Sequence, residues 1–246
     1  GQTKTIKLGT SVMIVPHRNP VLVAKELATL DVLSGGRLLL GVGVGWLKEE
    51  FEALGSPAFE ERGAVTDEFI QAIKELWTSD NPTFHGKYCR FENITFLPKP
   101  VQKPHPPIWV GGESRPAMRR AARSANAWYP NGSNPVFPMS RPEHLAAGMA
   151  RLSRYAQQAG RDPSEIEVVL RTHQLQLTGD GAGPAFSTGE ERLPFSGNAQ
   201  QIASDVREYE GIGVGHLVVD LVRVSRDLDD MQRNMENFAT KVWPLV

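Results

Sequence analysis

The sequence is poor in cysteine, in net charge and in long apolar runs, and each shortage removes a class of protein. Cys89 is the one cysteine in 246 residues, so no intrachain disulfide framework is possible and a reducing, cytoplasmic compartment fits. The formal net charge is −1, which gives no electrostatic case for nucleic acid or an anionic membrane surface as partner. No apolar stretch approaches the ~18 residues of a membrane span. No basic segment followed by an apolar one opens the chain, so no signal peptide is expected. The histidines (His17, His85, His105, His144, His173 and His216) are scattered without metal-ligand spacing, so no metal site is expected. A G-x-S-x-G hydrolase elbow is missing too.

What remains is an ordinary globular composition, with 40% hydrophobic and 22% charged residues, which excludes disorder and fibres. A chain of 246 residues fits one domain spanning 1–246, and α/β barrels commonly reach this size. The stretch 8–55 is the most informative. Residues 7–15 are apolar and β-branched enough for a buried parallel strand. Asn19 is a helix cap followed by Pro20 at the first helical position, and Gly35-Gly36 end that helix. Residues 37–44 form a second strand, which the chain leaves through Gly41, Gly43 and Gly45.

Strands and helices keep alternating. Further strands are expected at 108–110, 127–129, 167–177 and 216–222, with helices at 59–79, 116–124, 141–160, 199–210 and 228–243. Such alternation predicts a parallel sheet with right-handed crossovers. Residues 82–103 break the rhythm and read as a β-hairpin insertion, with Gly86 and Asn93 as turn residues. Residues 178–192 are rich in Gly, Ser and Thr and read as a mobile loop. Six strands are too few for a closed barrel, which needs eight. Either the sheet is open, or two βα units lie outside this sequence and extra chain or a second subunit covers the gap.

Glycines at strand ends are where α/β proteins place ligands. Gly41-Val42-Gly43-Val44-Gly45 is not a dinucleotide fingerprint, because the third glycine of that motif and its ribose-binding acid are missing. It reads instead as a strand end whose backbone lies close to a planar ring. Gly111-Gly112, Asn131 with Gly132 and Ser133, and Gly197-Asn198 are further strand-end or helix-start positions suited to an anion. For Gly111-Gly112 a tight β-to-α turn is a compatible reading. Arg171 lies within a strand, where a charge must be paired or face the ligand mouth, so it is a candidate phosphate partner or half of an outward salt bridge. His17 and His173 fall near strand ends on the same presumed face.

The blocks LGTSV, the R-N-P after it, LATLDVLSGGR, GVGVGW with its EEF, PIWVGG and SGNAQQIASDV resemble the luciferase-like flavin and deazaflavin oxidoreductases over residues 7–220. The branch most similar is that of probable coenzyme F-420-dependent oxidoreductases, with FMN-dependent monooxygenases as cousins. The resemblance implies a (β/α)8 TIM-type barrel whose first two strands are absent from this sequence, a homodimer, and a cofactor at the carboxyl end of the barrel. It implies a cis peptide between Ser11 and Val12, and cofactor contacts at Ser11, Val12, Ile14, Val44, Gly45, Glu49, Gly111 and Gly112. The competing reading of Glu49, as of Glu50, is a first-turn acid favoured by the helix dipole. Trp46 stands where sugar-phosphate dehydrogenases of the family carry an acidic glutamate. An indole cannot transfer that proton, so Trp46 reads as a wall of the substrate pocket, or else as a core residue. The catalytic acid or base is not named by the sequence. The implied function is hydride transfer between reduced F-420 or FMN and a small organic substrate. The alternatives are an FMN-dependent monooxygenase using oxygen and a cofactor-binding paralogue without turnover.

Overall fold

The computed structural model describes residues 2–179, 187–188 and 191–246. They divide into two compact units, one of residues up to 111 with 119–127, the other of 112–118 with 128–246.

The first unit begins with β1 (Leu8–Gly9) and β2 (Met13–Ile14), then α1 (Pro20–Ser34) and β3 (Leu38–Gly43). Both short strands run parallel to β3, with Leu8 opposite Leu38 and Met13 opposite Val42. The expected continuous strand over 7–15 is therefore interrupted. Residues 10–12 leave the ladder, the Ser11–Val12 peptide is cis as the resemblance implied, and a 3-10 turn (Val15–His17) takes over after β2. Helix α1 starts as its sequence dictates. Asn19 Oδ1 accepts from the N–H groups of Val21 and Leu22 at 3.0 and 3.1 Å, which satisfies donors that the first turn leaves orphaned. Gly35, at φ +68°, ends it in the left-handed conformation that glycine adopts without strain.

After β3 come α2 (Lys48–Ala53) and α3 (Arg62–Thr78). The apolar residues at helical spacing on α3, Val65, Phe69, Ala72, Ile73 and Leu76, are buried. Trp77 on the same helix donates its indole N–H to the Ala24 carbonyl at 2.9 Å, locking α3 to α1. The hairpin insertion is present as β4 (Phe84–His85) and β5 (Arg90–Phe91), antiparallel, with Phe84 opposite Phe91 and their rings stacked 5.9 Å apart. β6 (Ile108–Gly111) then returns parallel to β3 on its other side. Asp31 of α1 is fully buried and accepts from the N–H groups of Val101 and Gln102 at 2.8 and 3.0 Å and from the Gln102 amide at 2.7 Å. It thus fastens the chain leaving the hairpin to the first helix.

α4 (Arg115–Ser124) and β7 (Ala127–Tyr129) lie where the chain passes between the units. The second unit continues with α5 (Pro142–Gln158), β8 (Glu167–Thr172), β9 (Gln176–Leu177), β10 (Ser187–Thr188), β11 (Glu191–Arg192), β12 (Ser196–Gly197), α6 (Ala199–Gly211), β13 (His216–Val219) and α7 (Leu228–Asn237). β8 and β13 run parallel, with Val169 opposite His216. The expected strand 167–177 splits in two, because β9 leaves β8 to pair with β12. Most of the loop read at 178–192 lies outside the described residues. Within it Ser187–Thr188 pairs antiparallel with Glu191–Arg192. The closing helix is shorter than expected. Its α-helical part stops at Asn237, a π turn covers Phe238–Val242, and Pro244 enters a final 3-10 turn. Among the described residues no helix is long and apolar enough to cross a membrane.

Replacing Asp31 by Ala leaves a set of N–H groups without their charged acceptor. Asp31→Ala is expected to lower the unfolding free energy by about 2–4 kcal/mol, read by urea denaturation. A loss below ~0.5 kcal/mol would show that water replaces the carboxylate freely.

Candidate functional site

In the first unit the carboxyl ends of β2 and β3 meet closely. A Cβ at Gly41 would lie 2.0 Å from the Thr10 carbonyl oxygen, and one at Gly43 would lie 2.6 Å from Val12 Cγ2. Thr10 Oγ1 also donates to the Gly41 carbonyl at 2.7 Å. The glycines therefore let residues 10–12 cross directly over β3, which leaves Val12 38% exposed. Gly45, at φ +82°, turns the chain above the buried Phe51 ring, which packs edge-on against His17 with centroids 4.4 Å apart. Ile14 and Val44 are half-buried, while Ser11 is exposed. Trp46 is 79% exposed, which excludes the core reading and keeps the pocket-wall reading. Glu49 is exposed in the first turn of α2 together with Glu50, where the helix dipole favours acids. His17 Nε2 is buried without a hydrogen-bond partner.

Gly111 ends β6 in the first unit. In the second unit, Gly112, at φ +110°, donates its N–H to the Tyr129 carbonyl at 3.3 Å and accepts from the Trp128 indole at 2.9 Å. The next residue, Glu113, is buried. One carboxylate oxygen accepts from the Asn131 N–H and the other from the Asn134 amide at 2.6 Å. Burial pushes its carboxyl above the usual range, against the pull of those two bonds. Asn131 Oδ1 accepts from the Ser133 N–H at 3.2 Å and its hydroxyl at 3.1 Å, closing the turn after β7.

The same unit brings Arg171 and His173 to one carboxylate. Arg171, in β8, donates from Nη2 to Asp220 Oδ2, while its Nε is buried without an acceptor. His173 lies just past β8, 7% exposed, with Nδ1 3.0 Å from the same Oδ2 but off the line of a well-formed hydrogen bond. Burial lowers the imidazole pKa first, Arg171 adds to that, and Asp220 opposes it. Burial also works against the Asp220 charge. The Val222 N–H at 3.0 Å and Arg171 outweigh it, so this carboxyl stays below the ordinary range. Arg171 is thus half of a salt bridge, but an inward one, with the Asp220 side chain 13% exposed.

Gly197 precedes a capping box in which Asn198 and Gln201 satisfy each other's backbone N–H groups at 2.9 Å. A Cβ at Gly197 would sit 2.3 Å from Gln201 Oε1, so the cap accounts for the glycine without an anion. Glu113 and Asp220 were not singled out from sequence. Their signals were slight: an acid directly after a glycine pair, and an acid directly after the apolar run HLVV.

Because the folded pKa of Glu113 is raised, its contribution favours folding at acid pH and is lost as pH rises through the folded value. Glu113→Gln is therefore expected to gain melting temperature relative to the parent as pH goes from 4 to 7, read by thermal unfolding. A difference independent of pH would contradict the burial account.

The first 178 residues match the family model for luciferase-like monooxygenases. An FMNH2-dependent dimethylsulfone monooxygenase from Pseudomonas putida is 43% identical, over 99% of this chain and 75% of its own length. Among solved structures, the monooxygenase RslO1 from Streptomyces bottropensis superposes with a TM-score of 0.79 at 23% identity, covering 99% of this chain and 79% of that one. The coenzyme F420-dependent tetrahydromethanopterin reductase from Methanopyrus kandleri does so with 0.77 at 20% identity, covering 99% and 84%. At those identities the likeness is one of fold, the α/β fold of luciferase-like barrels. With matching motifs, strand-end glycines and fold, the chain belongs to the luciferase-like monooxygenase family.

Proposed function

We propose that this protein is a flavin-dependent oxidoreductase that uses reduced FMN and oxygen to oxygenate a small organic substrate, with small sulfones as the first class to test. The observation that carries this reading is the 43% identity, across nearly the whole chain, to a relative named for FMNH2 and dimethylsulfone. Coenzyme F-420 is the second reading. It rests on the motif resemblance and on fold likeness to F420-dependent enzymes at 20% identity or less. A homodimer in the cytoplasm is kept with either reading.

The residues suit such a cofactor. Exposed Val12 and Trp46 beside the glycine-rich end of β3 are apolar surface that a flat ring system would cover. Bound FMNH2 supplies the two electrons with which one oxygen atom of O2 enters the substrate and the other leaves as water. Ser11, Val12, Ile14, Val44 and Gly45 are assigned to the ring and Glu49 to its polar edge. Trp46 walls the substrate and excludes water. Gly111, at the end of β6, is assigned with the ring contacts to the cofactor. In the second unit, taken by itself, Gly112 and Asn131 remain candidate contacts for an anionic group. Within the second unit, Arg171 supplies a cation suited to an oxyanion, and neutral His173 a group that takes or gives a proton.

Chemically reduced FMN with oxygen and dimethylsulfone should yield oxygenated product and consume the sulfone. Reduced F-420 under nitrogen should stay reduced. Turnover with F-420 alone, or none with any cofactor, would overturn the reading. Trp46→Ala is expected to keep stability within ~0.5 kcal/mol, as an exposed side chain should, and to raise KM for substrate several-fold. A large loss of stability with KM unchanged would return Trp46 to a packing role.

A further inference from the structure

At the end of β8, half-buried Arg171 and buried His173 share the Asp220 carboxylate that follows β13, and each keeps a buried nitrogen without a hydrogen-bond partner: Arg171 Nε and His173 Nδ1. Asp220 is held rigidly. Its N–H donates to the Thr172 carbonyl at 2.8 Å, which extends the β8–β13 ladder by one residue, and its Oδ1 accepts from Val222. Its Oδ2 then faces both bases. An ionised carboxylate only accepts hydrogen bonds, so of the two neutral tautomers the one with its proton on Nδ1 suits a ring whose Nδ1 lies 3.0 Å from Oδ2.

We propose that Asp220 is the positioning residue of this cluster: it fixes Arg171 as a stationary cation for an oxyanion and holds His173 with its proton on Nδ1, leaving Nε2 to accept a proton. This deepens the monooxygenase reading and rests on it for what the cluster acts upon. The charged groups facing His173 are Arg171 from the end of β8, Asp220 just after β13 and Arg223 from the turn that follows. Of these, Asp220 alone favours the imidazolium, so removing its charge moves the His173 titration down.

The test is nitrogen-15 NMR of histidine-labelled protein without flavin, with His173→Gln to assign the resonance. In the parent protein near neutral pH, His173 should be neutral with the proton on Nδ1. In Asp220→Asn its midpoint should fall by about one pH unit or more, the size of effect an adjacent opposite charge produces. A proton on Nε2 in the parent, or an unchanged midpoint in folded Asp220→Asn, would overturn the proposal. The parent measurement decides the matter even if the variant does not fold. In turnover, the acid limb of the kcat/KM profile should shift down with Asp220→Asn. The neutral-pH value should fall roughly tenfold or more, within the range general acid–base catalysis supplies, and Asp220→Glu should restore most of it. The NMR result needs neither flavin nor oxygen. An expected spectrum without FMN turnover therefore refutes the function and not the positioning role, and the reverse pattern refutes the role alone.

Discussion

A carboxylate accepting backbone N–H groups from a distant loop is the interaction on which the strand-end architecture of this protein rests. A loop that leaves a parallel sheet cannot pair its N–H groups in the ladder, and when buried they need another acceptor. Glu68 takes three such donors from the hairpin turn, those of Lys87, Tyr88 and Cys89, at 2.8, 2.7 and 2.7 Å. Asp31 holds the segment after the hairpin, and Glu113 holds the turn after β7. Asp205 accepts from the Phe195 N–H at 2.6 Å while paired with Arg192. Each bond is charge-assisted and so stronger than a neutral one. Each also converts a surface loop into part of the rigid frame.

The same device produces two opposite electrostatic outcomes in the second unit. Glu113 has amide partners and no cation, so burial dominates and its carboxyl titrates high. Asp220 has Arg171 in addition to a backbone N–H, so it stays ionised in spite of burial. His173, next to both members of that ion pair, is kept neutral by burial and by Arg171. A fixed cation, a fixed anion and a neutral imidazole within one cluster suit a reaction that must steady an oxyanion and pass a proton at neutral pH. In the first unit the chemistry is left to shape. Glycines at 41 and 43 admit a crossing segment, and the side chains beside it, Val12 and Trp46, are apolar and exposed.

Helices were legible from sequence because their signals are local. The Asn19-Pro20 start, the Gly35 stop and the apolar spacing of α3 all operate within four residues. Strand ends were misjudged for the opposite reason. Residues 7–15 and 167–177 each carry enough apolar and β-branched residues to read as one strand; the break at 10–12 was implied by the family resemblance and its cis peptide, and nothing local says that β9 leaves β8 for β12. The interruption at 10–12 depends on Gly41 and Gly43, some thirty residues on, and β9 depends on a partner at 196–197.

The sequence by itself determined the alternating α/β pattern, the helix caps, the hairpin insertion and, through its motifs, the family. These follow from side-chain periodicity, capping chemistry and glycine placement, all of which act over short spans of chain. Only the tertiary structure decided which acids are buried and which base each one meets. Glu113 and Asp220 look in the sequence like any other strand-end acids, and Arg171 like a candidate for an outward salt bridge. Their charge states arise when segments about twenty to fifty residues apart are packed together, because burial and neighbouring charge set a pKa and neither is a property of the residue alone.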